Sequence, residues 1–162
     1  MCAAVGARMV IRGLDGERIL GMREFYRGPY QTAVGAAEML TEIRVPLRES
    51  CGSAYAKVDR RVGDWAVAAA GASVTLSGGT IVEAGVALAA VGSEVTSTDA
   101  EQALIDQPPS DELFSRAAAL ASSVCSPVTD QRGSQEYKRH VAGVLVERTL
   151  RRAVARALTE PR

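Results

Sequence analysis

The chain has 162 residues with 19 Lys+Arg balanced by 19 Asp+Glu, a length that suits one ordinary domain or one domain with a smaller appendage. A 47% hydrophobic, 23% charged composition excludes a disordered tail, and zero net charge removes the basic footprint of a nucleic-acid binder. Met1 to Gly6 is too short and uncharged for a signal peptide and no long apolar run follows, so the expectation is a cytoplasmic protein without nucleic-acid or membrane partners.

The first elements read as a hairpin, a loop and a strand. Arg8 to Arg12 and Glu17 to Leu20 flank Gly13-Leu14-Asp15-Gly16, whose glycines suit a tight turn. Phe25 to Tyr30 is an aromatic loop broken by Gly28-Pro29, and Met39 to Val45 is a short strand ended by Pro46. Five of the seven aromatic residues (Phe25, Tyr26, Tyr30, Tyr55, Trp65) fall between 25 and 65. That crowding marks the stretch for a planar ligand or a subdomain joint.

From Gly63 the pattern changes. Asp64 can cap an alanine-rich helix over Trp65 to Ala70. Ala72 to Leu76 alternates apolar and polar, Gly78-Gly79 supplies a turn, and period two continues from Thr80 to Val91, with Gly85 as a bulge candidate. Together these predict an antiparallel meander with one face buried. Three helices follow. Thr98-Asp99-Ala100-Glu101 reads as a capping box for a helix to about Ile105. A second begins after Pro108-Pro109-Ser110, with Leu113, Ala117, Leu120 and Val124 as its apolar stripe. The third runs from about Ser134 to Leu158, its face passing from Tyr137, Val141, Val144 and Leu145 to Val146, Leu150, Ala153, Val154 and Ala157. Arg148, Arg152 and Arg156 form a basic row on it, either a solvated face or a docking surface.

Charge is unevenly spread. Residues 83–130 carry 8 acidic side chains against Arg116 alone, whereas residues 131–162 carry 8 basic and 3 acidic. Cys2, Cys51 and Cys125 are odd in number and far apart, and with His140 as the single histidine no metal site and no catalytic set is indicated. No glycine-rich nucleotide loop, zinc-protease or nucleophile-elbow motif occurs. The densest constellation is Ala54 to Trp65, with two aromatics, three cations and two carboxylates in twelve residues. Cations and helix amides here suit an anionic group and an aromatic suits a flat heterocycle. The plainer alternative is a strand-to-helix junction in which Asp64 is a cap and Arg60 or Arg61 pairs with acids.

These residues also carry a family resemblance. Ala54-Tyr55-Ala56-Lys57 through Arg60-Arg61-Val62-Gly63-Asp64-Trp65 is similar to the A-Y-x-K-x-x-R-R-x-G-D-aromatic pattern of the FAD-binding medium subunit of molybdenum hydroxylases, the aerobic carbon monoxide dehydrogenase and xanthine dehydrogenase relatives. Phe25 to Thr32 resembles its F-F-x-G-P-Y-x-T, and Glu38 to Pro46 its E-L-L-T-E-I-R-I-P. Val86 to Gly92 resembles I-A-L-G-G-V-G, Asp130 to His140 resembles D-x-R-G-S-A-E-Y-R-R-H, and Leu145 to Leu150 the terminal L-x-x-R-A-L. The motifs occur in order over about residues 8–158.

The resemblance implies an α+β fold. Residues 1–50 would be the remnant of the second FAD-binding subdomain, and 51–162 a C-terminal domain with a three-stranded antiparallel meander packed on helices. It implies FAD as cofactor, with a molybdopterin-binding large subunit and an iron–sulfur small subunit as partners. The job it implies is passing electrons from the iron–sulfur clusters through FAD to an external acceptor. Carried over residue by residue, Lys57 lies by the flavin, Leu40 falls in the strand that approaches it, and Asp64 and Trp65 belong to the segment whose aromatic sits near the isoalloxazine. The family's two glycine-rich FAD loops, of the A-G-G-x-x and T-I-G-G-N type, are not in this sequence. The chain is therefore expected to match the C-terminal part of such a subunit, not to hold FAD tightly alone and not to be active alone. Two alternatives stand beside this reading: a non-enzymatic interaction or dimerisation module, a truncated remnant whose exposed strand edge invites self-association, and a regulatory ligand site in the 25–65 stretch.

Overall fold

The computed structural model describes residues 1–159. β1 (Arg8–Gly13) turns back through Leu14-Asp15 into β2 (Gly16–Gly21), pairing Val10 with Ile19, as the glycine-flanked turn predicts. The aromatic stretch expected as a loop is instead a one-turn helix, α1 (Met22–Phe25), and a small ribbon of β3 (Tyr26–Gly28) and β4 (Gln31–Thr32). β5 (Met39–Arg44) pairs antiparallel with the free side of β1, giving the order β2-β1-β5. Met9, Ile11, Ala7 and Phe25 form the buried core of this unit, against which Leu20, Met22, Val34 and Leu40 pack.

A charged clasp closes the unit. Arg18 forks onto the Glu38 carboxylate at 2.8 and 2.7 Å, and the Gly35 N–H donates to the same group at 2.6 Å. The Arg18 hydrogen bonds, then the Gly35 amide, hold the Glu38 carboxyl down to about 2. Since the folded carboxyl is more acidic than the unfolded one, its stabilisation is full above about pH 4.5 and is lost as pH falls through about 2. A carbon-13 titration of Glu38 is expected to show that depressed midpoint; one at or above the ordinary carboxylate value would refute the clasp.

The larger unit is built on β6 (Cys51–Val58), β7 (Ala68–Ser77) and β8 (Thr80–Ala89), antiparallel in that order. This is the meander implied above, with two corrections. No helix forms over Trp65 to Ala70; residues 65–67 are irregular and Ala68 already pairs with Val58. Alanine favours helix in isolation, but β7 is flanked by partners on both edges and nearly every one of its residues is buried. The second correction concerns the bulge. It falls opposite Thr75 and Leu76, at Val82, and Gly85 instead pairs regularly with Ser73. Gly85 is small because the Ala4 carbonyl lies over it. Segment 1–7 thus covers part of the sheet's outer surface, so both faces of β7, not one, are buried.

On the inner face Ala68, Ala70, Ala72, Val74, Ile81, Val86 and Leu88 meet three helices. α2 (Thr98–Leu104) is capped by Ser97, whose hydroxyl accepts from Ala100 N–H, rather than by Thr98. Glu101 does not complete a capping box: it accepts from Val86 N–H at 3.1 Å and pairs with Arg23. α3 (Asp111–Ser123), capped by Ser110, buries Leu113, Phe114, Ala117, Ala118 and Ala121, so its face is turned toward the small residues relative to the predicted stripe. α4 (Gln135–Thr159) spans the sheet and α3 and buries Val141, Ala142, Leu145, Val146, Leu150, Ala153 and Val154, while Tyr137 stays exposed. Alanine and glycine at the α4–sheet contact let backbones approach closely, as where Gly52 lies against Ala153 and Ala157. Arg148, Arg152 and Arg156 are exposed, and among the described residues no carboxylate pairs with them.

Besides segment 1–7 on the sheet, polar pairs join the two units. Arg23 reaches Thr98 and Glu101 on α2, and Arg48 pairs with Glu83 on β8. None of the helices among the described residues is long and apolar enough to cross a membrane.

Candidate functional site

The constellation from Lys57 to Trp65 lies where β6 ends and the chain loops back into β7. Side chains of β6 alternate: Gly52, Ala54 and Ala56 face the helices, while Tyr55 and Lys57 face outward. The return is a tight turn in which Asp64 N–H donates to the Arg61 carbonyl at 3.0 Å. Gly63 takes φ 83° there, the left-handed value that the third position of a type II turn requires. Val67 N–H then bonds the Val58 carbonyl at 2.7 Å and the hairpin is closed.

Inside this loop the groups are tied together. The Lys57 ammonium donates to Asp59 Oδ2 at 2.8 Å and to the Asp64 carbonyl at 3.1 Å. The bond to Asp59, with lesser help from Tyr55 and Asp64, raises the lysine above its ordinary value, so it is a fixed cation at neutral pH. Asp64 Oδ1 accepts the Trp65 N–H at 2.8 Å and the Arg132 guanidinium at 3.4 Å. Trp65 is 65% exposed and leans on Tyr30, with ring centroids 6.1 Å apart and planes tilted by 56°. Tyr30, at the tip of the β3–β4 ribbon, is 90% exposed. Two aromatic rings, one from each unit, are therefore presented to solvent beside a cation.

Lys57, Asp64 and Trp65 are brought together; Leu40 is not. Its side chain packs into the Met9, Ile11 and Phe25 core of the first unit. Arg60 and Arg61 are exposed, and neither has an ion pair among the described residues. The expected helix N-terminus is missing here, so the anion-attracting character comes from side chains. Tyr30 and Arg132 complete the arrangement without having been singled out as site residues; each stood in a quoted motif, Phe25 to Thr32 and Asp130 to His140. Among the described residues no group of three or more His, Cys, Asp or Glu could hold a metal ion. What remains is a surface that can lie against a planar group and place a permanent positive charge next to it.

Residues 53–153 match the model of the CO dehydrogenase flavoprotein C-terminal domain, and residues 1–48 that of the FAD binding domain in molybdopterin dehydrogenase. The chain is 37% identical over 155 residues to the carbon monoxide dehydrogenase medium chain of Afipia carboxidovorans, covering 94% of this chain and 54% of that one. Against the glyceraldehyde dehydrogenase medium chain of Sulfolobus acidocaldarius it is 31% identical, covering 88% and 51%. The chain thus spans about half the length of the curated relatives it matches. Among solved structures, carbon monoxide dehydrogenase from Hydrogenophaga pseudoflava superposes with a TM-score of 0.90 at 36% identity, over 96% of this chain and 55% of that one. Quinoline 2-oxidoreductase from Pseudomonas putida 86 gives a TM-score of 0.84 at 28% identity, over 97% and 55%.

Proposed function

The chain belongs to the CO dehydrogenase flavoprotein C-terminal domain family, and from that premise we propose that it works in the FAD-binding medium subunit of a molybdenum hydroxylase. Its place is on the path of electrons from iron–sulfur clusters through FAD to an external acceptor. Its partners are a molybdopterin-binding large subunit and an iron–sulfur small subunit, and its compartment is the cytoplasm. The observation that carries this reading is the Lys57 cation held beside the exposed Trp65 and Tyr30 rings. That donor set fits a flat ring system which gains negative charge on reduction. When bound, the flavin supplies the electron transfer itself. Lys57 would hold a positive charge beside the ring, Trp65 would cover it, and Asp64, bonded to both, would keep them in place. Leu40 acts from a distance, by fixing the strand on which the first unit is built.

The division of labour follows the two units. Residues 1–50 belong to the second FAD-binding subdomain and 51–162 to the C-terminal domain, a boundary supported by family matches that end at 48 and begin at 53. The pyrophosphate of a dinucleotide needs several converging backbone amides, and the glycine-rich loops that would provide them are not in this sequence. The described residues supply the Lys57 cation and the Trp65 and Tyr30 rings to that site. Exposed apolar side chains on and after β5, Met39, Ile43, Val45 and Leu47, fit coverage by further residues of the same subunit.

The test is Trp65→Ala in the flavin-loaded complex. Loss of one aromatic contact is expected to weaken flavin binding by roughly three- to tenfold and to alter its absorbance and reduction. An unchanged spectrum, affinity and redox behaviour would sink the assignment, as would a complex with iron–sulfur and molybdopterin subunits that contains this chain but no flavin.

A further inference from the structure

We propose that Arg132 is a positioning residue for the aromatic side of the site, acting through Asp64; the proposal rests on the flavin-facing reading above. Arg132 stands on the loop of residues 128–134 that leads into α4, 68 positions along the chain from the carboxylate it touches. That loop is braced throughout. Asp130 and Gly133 exchange backbone hydrogen bonds at 3.2 and 3.1 Å. Asp130 Oδ1 accepts the Arg132 N–H at 2.7 Å, and Thr129 Oγ1 accepts the Gln135 N–H at 3.0 Å.

Beneath it lies Lys138, whose side chain is 4% exposed and whose ammonium bonds the Val128 carbonyl and the Asp130 carboxylate, each at 2.7 Å. A buried ammonium cannot lose its partners cheaply, so the loop cannot drift away from α4. Arg132 therefore projects from a fixed base.

The loop at the other end of the contact is more exposed. Gly63 and the fully exposed Val62 form its tip, and its internal ties are the Asp64–Arg61 backbone hydrogen bond and the Lys57 bonds to Asp59 and to the Asp64 carbonyl. Asp64 is the residue at which everything meets. One carboxylate oxygen takes both the Arg132 guanidinium and the Trp65 N–H, while its carbonyl takes Lys57. Among the described residues Arg132 is the cation on that carboxylate. Without it the carboxylate is free to turn to water, the Trp65 backbone loses its anchor, and the indole leaves its place against Tyr30. The guanidinium thus sets where the ring stands without touching the ring.

Trp65 is the single tryptophan, so its fluorescence reports this loop alone. In the 162-residue chain with no flavin added, R132Q is expected to lower the anisotropy of Trp65. It should also raise acrylamide quenching by up to about 1.5-fold, the ring being 65% exposed at the outset. D64N should do the same, the double variant should do no more than either single one, and R132K should recover most of the wild-type anisotropy. Wild-type anisotropy and quenching in R132Q would overturn the proposal. So would additive effects of R132Q and D64N, or an R132K indistinguishable from R132Q. Since these readings need no flavin, the two ideas can fail separately. An inert Trp65→Ala in the loaded complex with a responsive R132Q removes the flavin reading and leaves the positioning role; the reverse removes the positioning role alone.

Discussion

Gly52→Ala is expected to destabilise the fold by about 3 kcal/mol or more, because the added methyl would enter the backbone of α4. Built on Gly52, a Cβ meets the Ala153 carbonyl oxygen and the Ala157 amide nitrogen. Neither is the end of a flexible side chain, so relief requires the helix and β6 to part along a contact that both use for their core residues. Gly85→Ala is the control. Its Cβ meets the Ala4 carbonyl, on a segment that can lift from the sheet without disturbing the helices, and about 1 kcal/mol is expected there. Urea unfolding followed by circular dichroism measures both. Equal losses, or a Gly52→Ala variant as stable as the wild type, would show that the α4–β6 approach is not what limits stability.

Leu150→Ala on the same helix should cost about 2–5 kcal/mol, the range for emptying a closed site. Leu150 is fully buried, between β-sheet and α3, beside Thr149, whose hydroxyl is itself satisfied by the Leu145 and Val146 carbonyls at 2.9 and 3.0 Å. Little can move in to fill the space. Leu158, eight positions on, is 69% exposed, and Leu158→Ala should stay within about 0.5 kcal/mol. The comparison holds residue type and helix constant and varies burial alone. A small loss at Leu150, or similar losses at both, would contradict the packing described.

What could be read from the sequence follows from how far each interaction reaches. The hairpins at Leu14-Asp15 and Gly78-Gly79, the strand before Pro46 and the three late helices rest on turn residues, period and caps, all of them local signals. The run from Trp65 to Ala70 misleads because its signal is local and its structure is not. Alanine there is not chosen for helix but to let β7 lie flat between two strands, a helix layer and segment 1–7. The same distance rule divides the site. Lys57, Asp59, Asp64 and Trp65 are near neighbours in sequence, so composition alone exposes their cluster. Tyr30 and Arg132 arrive from 35 and 67 positions away from Trp65 by numbering, and only folding brings them in. The Glu101 carboxylate is misread for a related reason: a capping-box spacing is present, but a strand amide and Arg23 compete for it and win.

The contact between β6 and α4 also orders the events of folding. Arg156 donates to the Ser53 carbonyl across a separation of 103 residues, and Gly52 meets Ala153 across a similar span. The β7–β8 hairpin and the α2–α3 pair close short loops and can form early, whereas β6 cannot be sealed until the last helix exists. During synthesis, all three strands, α2 and α3 are made before the Ala70, Ala72 and Val74 face acquires its α4 cover. That interval, set by topology rather than by final stability, is when the nascent sheet is most open to chaperones and to mispairing.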